Sequence, residues 1–194
     1  MDDAVAGGLR AAATETEEST LLQRIAAGDR IAFETLYRCY FPRLTRFLQR
    51  VLRRPDMVDE VLNDTMYVVW RKADTFNSQS KVSTWIFAIA YRKALKARGR
   101  FDEPVESDEA VYEQIQPGPE TLMMQRQLCE RLSDEIDLMS VEQRAVIELT
   151  IFHGCAYREI AQIMECPIDT VKTRMFHARR RLRRLFPDGS EVAG

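Results

Sequence analysis

Between Tyr157 and Leu185 the chain reads YREIAQIMECPIDTVKTRMFHARRRLRRL, residue types suited to contact with a polyanion. Ile160, Ala161, Ile163 and Met164 share one face of a first helix, which Glu165-Cys166-Pro167 interrupts. A second helix follows, with Pro167 in its first turn and Asp169 and Thr170 near its N-terminus. Val171 and Met175 supply its apolar face, and Lys172, Arg174, His177, Arg179, Arg180, Arg181, Arg183 and Arg184 occupy other positions. Two short helices across a tight turn, the second one basic, form the unit that enters a DNA major groove. Ala161 is small where the two helices must cross closely. In such a unit the N-terminal residues of the second helix face base edges and the later arginines face phosphates. The same residues would also serve a solvated basic face or a partner-binding helix.

The elements around this unit divide by charge. The formal net charge of the 194 residues is -2, yet acids and bases are segregated. Asp2, Asp3, Glu15, Glu17 and Glu18 stand against Arg10 alone in the first twenty residues. Residues 21–100 hold 16 Lys and Arg against 7 Asp and Glu. No basic residue lies between Arg100 and Arg126, where Asp102, Glu103, Glu106, Asp108, Glu109, Glu113 and Glu120 are found. Two basic blocks therefore flank an acidic connector. Because charges are screened beyond roughly 8–10 Å, each block acts on its own surroundings, and the net charge does not exclude nucleic acid.

Apolar spacing fixes the helices. Leu22, Ile25 and Ala26 precede Gly28-Asp29; Phe33, Leu36, Tyr37, Tyr40 and Phe41 follow, and the stripe continues past Pro42 through Leu44, Phe47, Leu48, Val51 and Leu52. A kink or restart is expected at Pro42. Asp56 is placed to cap a helix carrying Val58, Val61, Leu62, Thr65, Met66, Val69 and Trp70. After the polar loop Asn77 to Lys81, Ser83 or Thr84 would cap a helix with Trp85, Ile86, Ile89, Ala90, Ala94 and Leu95. Leu122, Leu128, Leu132, Ile136 and Met139 define a further helix, and Ser140 with Glu142 and Gln143 resembles a capping box for the next, which Gly154 ends. No run alternates with period two. The expected fold is all-α: two small helical domains at 21–100 and 121–186, the second containing the helix-turn-helix. A mobile tail over 1–20, an acidic linker over 101–120 and a tail over 187–194 complete the division.

Taken in order, several segments resemble the extracytoplasmic-function sigma factors of bacterial RNA polymerase. They are AGDRIAFETLYRCYFPRL, DMVDEVLNDTMYVVWRKADTF and STWIFAIAYRKALKARGR in the first half, and the run from LMSVEQRAVIELTIFHGC through the helix-turn-helix in the second. The likeness spans Leu22 to Phe186 except the connector. It implies a protein that binds core polymerase, directs it to promoters and helps melt the -10 region, under an anti-sigma factor.

Asp56, Asp59, Glu60, Asn63 and Asp64 then form the face that docks on the coiled coil of the largest polymerase subunit. As residues alone, acids at a helix N-terminus also favour the helix dipole. The -10 element falls to the loop Asn77, Ser78, Ser80, Lys81 and Ser83, around an extruded base, and to Tyr91, Arg92, Lys93, Lys96 and Arg98 along the strand. Trp85, Ile86 and Ile89 share the apolar stripe and read first as core packing, whereas Tyr91 reads equally as core or as a DNA contact. The -35 element falls to Asp169, Thr170, Lys172, Thr173 and Arg174, with Arg158, His177 and Arg180 on the backbone. Arg181, Arg183 and Arg184 are left between DNA, the polymerase flap and solvent. Two departures stand out: many relatives carry Arg-Asn at Tyr91-Arg92, and Gly where this chain has Glu165, a place that wants a left-handed backbone. The acidic connector is either a solvated spacer or a polyanion for a basic polymerase channel.

Other classes find less support. A helix-turn-helix regulator that binds duplex DNA as a dimer without polymerase is the rival reading. His153 and His177 assemble no catalytic triad, and no glycine-rich phosphate loop is present, so no enzyme, cofactor or small-molecule substrate is expected. His153, Cys155 and Cys166 match no standard zinc spacing, and scattered Cys39, Cys129, Cys155 and Cys166 suit reduced thiols. Without a signal peptide or a long apolar run, a cytoplasmic location is expected.

Overall fold

The computed structural model describes residues 15–99, 132 and 135–184, and every regular element among them is helical. Helix α1 covers 15–26. It is followed by α2 (Arg30–Leu52), α3 (Pro55–Lys72) with a 3-10 turn at Ala73–Thr75, and α4 (Val82–Gly99). In the second half, α5 (Val141–Ile147) runs into a π-helical turn at Glu148–Phe152, and α6 (Tyr157–Ile163) and α7 (Ile168–Arg183) follow. The acidic connector, the apolar positions Leu122 and Leu128, and the C-terminal tail lie outside the described residues.

Local chemistry explains most boundaries. Gly28, with φ 87°, ends α1, and Asp29 caps α2 by accepting hydrogen bonds from the N–H groups of Ile31 and Ala32. Those bonds, aided by Arg24, hold the Asp29 carboxyl below the usual carboxylate range. Helix α2 passes through Pro42 without a restart. Pro42 is exposed, so the carbonyl it leaves without a partner can turn to water. Ser140 and Gln143 form the reciprocal capping box at α5.

Three expectations are corrected. Residues 15–20, assigned to the tail, are helical. Glu18 accepts a hydrogen bond from the Tyr40 hydroxyl at 2.7 Å and pairs with Arg43 at 3.5 Å, which ties the segment to α2 without a hydrophobic run. Asp56 does not cap α3: Arg54 is the N-cap residue, Pro55 stands at the first helical position, and Asp56 instead pairs with Arg54 at 2.9 Å. Helix α4 starts at Val82, ahead of Ser83 and Thr84, and its first carbonyl bond comes from Lys81.

Helices α2, α3 and α4 pack against one another, and α5 and α6 pack against α7. The two groups also meet: α2 touches α5, α4 touches α6, and the buried apolar residues form one cluster from Leu22 to Ala178. Helix α4 shows why. Val82, Thr84, Ile86, Phe87, Ala88, Ile89, Ala90 and Tyr91 are all buried, which no single-faced surface helix allows. Phe87 sits at the junction, edge-on to Phe47 with centroids 5.2 Å apart and 4.5 Å from the ring of His153.

Polar contacts seal the same seam. Buried Arg144 of α5 donates to the carbonyls of Arg50 at 2.8 Å, Val51 at 3.4 Å and Met139 at 2.6 Å. Buried Glu148 pairs with Arg46 at 2.8 Å, and that guanidinium also lies 3.5 Å above the ring centroid of Phe152. Burial pushes the Glu148 carboxyl up, against the pull of Arg46. His153 has the opposite problem: burial first, then Arg43 and Arg46, lowers its pKa from 6.5 to about 4. Its 3.8 Å approach to Glu148 is therefore no ion pair while the imidazole is neutral. Among the described residues no helix is long and apolar enough to cross a membrane.

Phe87→Ala should cost about 3–5 kcal/mol by opening a cavity where both halves meet, read as a lowered urea midpoint. His153 should make stability depend on pH. The unfolded imidazole takes its proton near 6.5 and the folded one near 4, so stability falls as pH drops through that window. Urea unfolding of the wild type and of His153→Phe across the window checks this: the wild type should lose ground to the variant, and a constant difference would refute it.

Candidate nucleic-acid interface

The helix-turn-helix is built by a turn that hydrogen bonds fix residue by residue. Cys166 N–H donates to the carbonyl of Ala161 at 3.1 Å and Glu165 N–H to that of Gln162 at 3.4 Å, the paired bonds of a Schellman motif. Glu165 occupies its left-handed position, with φ 50°. The conformation expected at this place is thus present, with glutamate where glycine would be unstrained. Pro167 then precedes α7, and its carbonyl accepts the N–H groups of Thr170 and Val171. Val171, Met175 and Ala178 are buried against the rest of the unit, as are Ile160, Ile163 and Met164 of α6; Ala161 is partly buried.

With that face inward, the opposite face of α7 turns outward. Asp169, Lys172, Thr173, His177 and Arg180 are exposed, as is Arg158 on α6. Thr170 and Arg174 are half-buried, and Arg174 donates to the Cys166 sulfur at 3.4 Å. Lys172 pairs with Asp169 at 2.9 Å, a surface contact that a phosphate can displace. Phe176, also exposed on this helix, stands edge-on to His177. Arg181 is different: it binds Glu135 at 2.7 Å and the Leu138 carbonyl at 2.9 Å, a structural role that distance in the sequence concealed.

The loop and α4 form a second basic region. Asn77 is exposed and its side-chain oxygen accepts the Gln79 N–H at 3.1 Å; Ser78, with φ 57°, is held left-handed beside it. Ser80 and Ser83 are half-buried, and Lys81 is exposed. Between α3 and α4 lies a cleft of about 390 Å³. Val68, Trp85 and Ile89 are its apolar lining, and Lys72, Arg92, Lys93 and Lys96 its cations. An apolar floor with a cationic rim suits an unstacked base and its phosphates. The sequence reading had not singled out Lys72: a cation in the last turn of a helix usually only answers the helix dipole.

Lys81, Arg92 and Tyr91 of this second region are engaged within the chain. Lys81 pairs with Glu159 of α6 at 2.8 Å, which holds its ammonium above the ordinary lysine range. Arg92 pairs with Glu165 of the turn. Tyr91, expected among the DNA contacts, is buried at 4 % exposure. Burial first, then Glu142, pushes its phenol up to about 12, and Arg174 opposes the shift. Arg98 and Lys96 remain exposed.

The acidic face of α3 is a third, separate surface. Asp56, Asp59, Glu60, Asn63 and Asp64 are all exposed, opposite the buried Val58, Val61, Leu62, Thr65 and Met66. The Tyr37 hydroxyl donates to Asn63 at 3.1 Å, and Lys93 donates to Asp64 at 2.9 Å where this face meets the basic one. Among the described residues no three His, Cys, Asp or Glu side chains converge to hold a metal. Burial raises the Cys155 thiol to about 11, which disfavours the thiolate.

Comparison with known proteins identifies the family. The sigma-70 region 2 family matches residues 36–102, and the sigma-70 region 4 family matches residues 129–182. The ECF RNA polymerase sigma-E factor of Escherichia coli strain K12 is 30% identical over 173 residues, covering 84% of this chain and 90% of that protein. The sigma-E factor of Haemophilus influenzae is 29% identical over 178 residues, covering 86% and 94%. Among solved structures, CnrH in complex with the cytosolic domain of CnrY shares the fold with a TM-score of 0.65 at 22% identity, over 90% of this chain and 99% of that one. RpoE in complex with the anti-sigma factor NepR from Bartonella quintana has a TM-score of 0.62 at 24% identity, over 81% and 98%. With regions 2 and 4 matched in order and a relative alike over most of both chains, this chain belongs to the ECF sigma factors of RNA polymerase.

Proposed function

We propose that this chain is a promoter-selecting subunit that works in the cytoplasm, is not itself an enzyme, and needs no cofactor. The observation that carries the reading is the separation of charge: an exposed acidic face on α3, a basic cleft beside α4 and an exposed basic face on α7. Asp56, Asp59, Glu60, Asn63 and Asp64 dock on basic residues of the largest polymerase subunit, where charge sets orientation and association rate. The second half adds contact with the flap. Asn77, Ser78, Ser80, Lys81 and Ser83 surround an extruded base of the -10 element, and Arg92, Lys93, Lys96 and Arg98, joined by Lys72, follow the strand. Melting is favoured because the separated strand is held where the duplex could not be. Asp169, Thr170, Lys172, Thr173 and Arg174 read the -35 duplex, with Arg158, His177 and Arg180 on phosphates. An anti-sigma factor that covers these faces would keep the protein silent, a reading supported by the solved relative RpoE, which is bound to the anti-sigma factor NepR.

Run-off transcription with core polymerase on fragmented genomic DNA tests the reading. Discrete new start sites sharing two motifs at fixed spacing are expected. Specific retention of a palindromic duplex by the free protein, with no new transcripts, would instead establish a conventional regulator. Lys172→Ala and Arg174→Ala should each weaken promoter selection by about 1–3 kcal/mol while core binding survives, measured by promoter competition beside core pull-down. Asp59→Ala with Glu60→Ala should slow association with core polymerase, and the deficit should shrink as salt rises; an unchanged rate would remove this face from the docking surface.

A further inference from the structure

The cleft between α3 and α4 has a chemical bias that its shape alone does not express. Val68 and Lys72 reach it from the last turns of α3, and Thr75 from the 3-10 turn that follows. Trp85, Ile89, Arg92, Lys93 and Lys96 reach it from one face of α4, at the spacing of helical turns. The apolar floor is held still: Trp85 leans on Phe76 with ring centroids 5.6 Å apart, and Ile89 is buried. The polar lining is almost wholly made of donors, since ammonium, guanidinium and indole N–H groups give hydrogen bonds and accept none. Thr75 is the exception, and its proton already goes to the Lys72 carbonyl at 2.7 Å. Asp64 meets Lys93 at 2.9 Å and Glu165 meets Arg92, so both carboxylates are taken up by cations of the rim. Among the described residues Lys72 and Lys96 have no carboxylate partner, and both are exposed.

A base that enters such a cleft is sorted by what its edge can accept. Guanine offers two adjacent acceptors, O6 and N7, whereas adenine keeps N7 but carries an amino donor in place of O6. Thymine has a single acceptor at O4, and cytosine again has an amino donor there. Donor set against donor leaves both unpaired once water is displaced, which costs more than a matched pair gains. A purine ring also covers more of Val68, Trp85 and Ile89 than a pyrimidine does. We propose that the α3–α4 cleft selects an unpaired guanine, with the ammonium groups of Lys72 and Lys96 as donors to O6 and N7 and with Trp85 and Ile89 under the ring. The proposal rests on the assignment of this cleft to the separated strand and adds which base it takes. Lys96 is the position through which the choice can be changed. A glutamine amide there both gives and accepts, the pattern that matches N7 and the amino group of adenine.

The test uses the complex of the full chain with core polymerase, and core polymerase alone as background. Labelled single strands of random sequence retained by the complex should be enriched for guanine at one position. Hypoxanthine at that position keeps O6 and N7 and should bind as guanine does. Adenine, without O6, and 7-deazaguanine, without N7, should each bind about five- to hundredfold more weakly, the range for a bidentate base contact. Lys96→Gln should move the enrichment from guanine towards adenine. Enrichment of another base in the wild type would overturn the proposal, as would a deaza base or adenine that binds as tightly as guanine. A guanine preference left unaltered by Lys96→Gln would overturn it too. Retention without any base preference would strike this proposal alone, whereas retention no greater than that of core polymerase would strike the strand-binding assignment and the proposal with it.

Discussion

The guanidinium of Arg144 is the contact on which the arrangement of this chain turns. The last carbonyls of any helix lack partners within it and carry partial negative charge. At the end of α2 two of these, on Arg50 and Val51, receive Arg144 from the other half of the chain. A planar group with several diverging donors can serve them and the Met139 carbonyl together, which a lysine ammonium on a single stem would do poorly. Burial, aided by Arg53, lowers the Arg144 pKa to about 10 and Asp137 opposes that shift, so the cation persists at neutral pH. A buried charge is tolerable only when its hydrogen bonds are met. The end of α2 and the start of α5 are therefore held together or the cation is stranded. The apolar seam of Phe47, Phe87 and His153 lies alongside this anchor.

That anchor decides which further contacts arise. With α2 and α5 fixed, α6 is carried onto α4, and every α4 residue from Ile86 to Tyr91 is buried. Burial then acts on every titratable group caught there in the direction that disfavours charge: His153 stays neutral, Glu148 and the Cys155 thiol rise, and the Tyr91 phenol rises. Groups at the rim behave otherwise. Lys81 is stabilised as a cation by Glu159 because the pair remains partly in water. The seam thus has a neutral, desolvated interior and a charged border.

What the sequence made legible was whatever depends on near neighbours. The apolar spacing of α2, α3 and α7, the capping box at Ser140, the glycine that ends α1 and the left-handed place at residue 165 all follow from residues within a few positions. The outward faces of α3 and α7 follow too, since burying one stripe exposes the other, and their candidate residues are exposed except Thr170 and Arg174, which are half-buried. Local chemistry misled at Asp56, where proline at the first position and Arg54 beside it compete for the role of the cap. It also misled at residues 15–20, where a single carboxylate finds Tyr40 and Arg43 on another helix. Tyr91 could not be placed, because its burial comes from a half of the chain more than fifty residues on, and the residues between give no geometric hint. Arg181 reads from sequence as a contact for DNA, the polymerase flap or solvent for the same reason: Glu135, its partner, is 46 residues away.

Weak pairs are the right material for the border of such a seam. Exposed or half-exposed ion pairs contribute roughly 0–1 kcal/mol each, and salt reduces even that. The buried anchor at Arg144 is of another kind, since removing one partner there leaves an unsatisfied charge. Opening the chain fully would thus require something that compensates the anchor, and a large protein surface can do so where a short DNA strand cannot. Glu159 and Glu165 offset the charge of Lys81 and Arg92 along this border, while the outer face of α7 keeps its positive field. Strength alone therefore ranks the contacts: the buried cation holds the two halves together more firmly than the surface pairs around it.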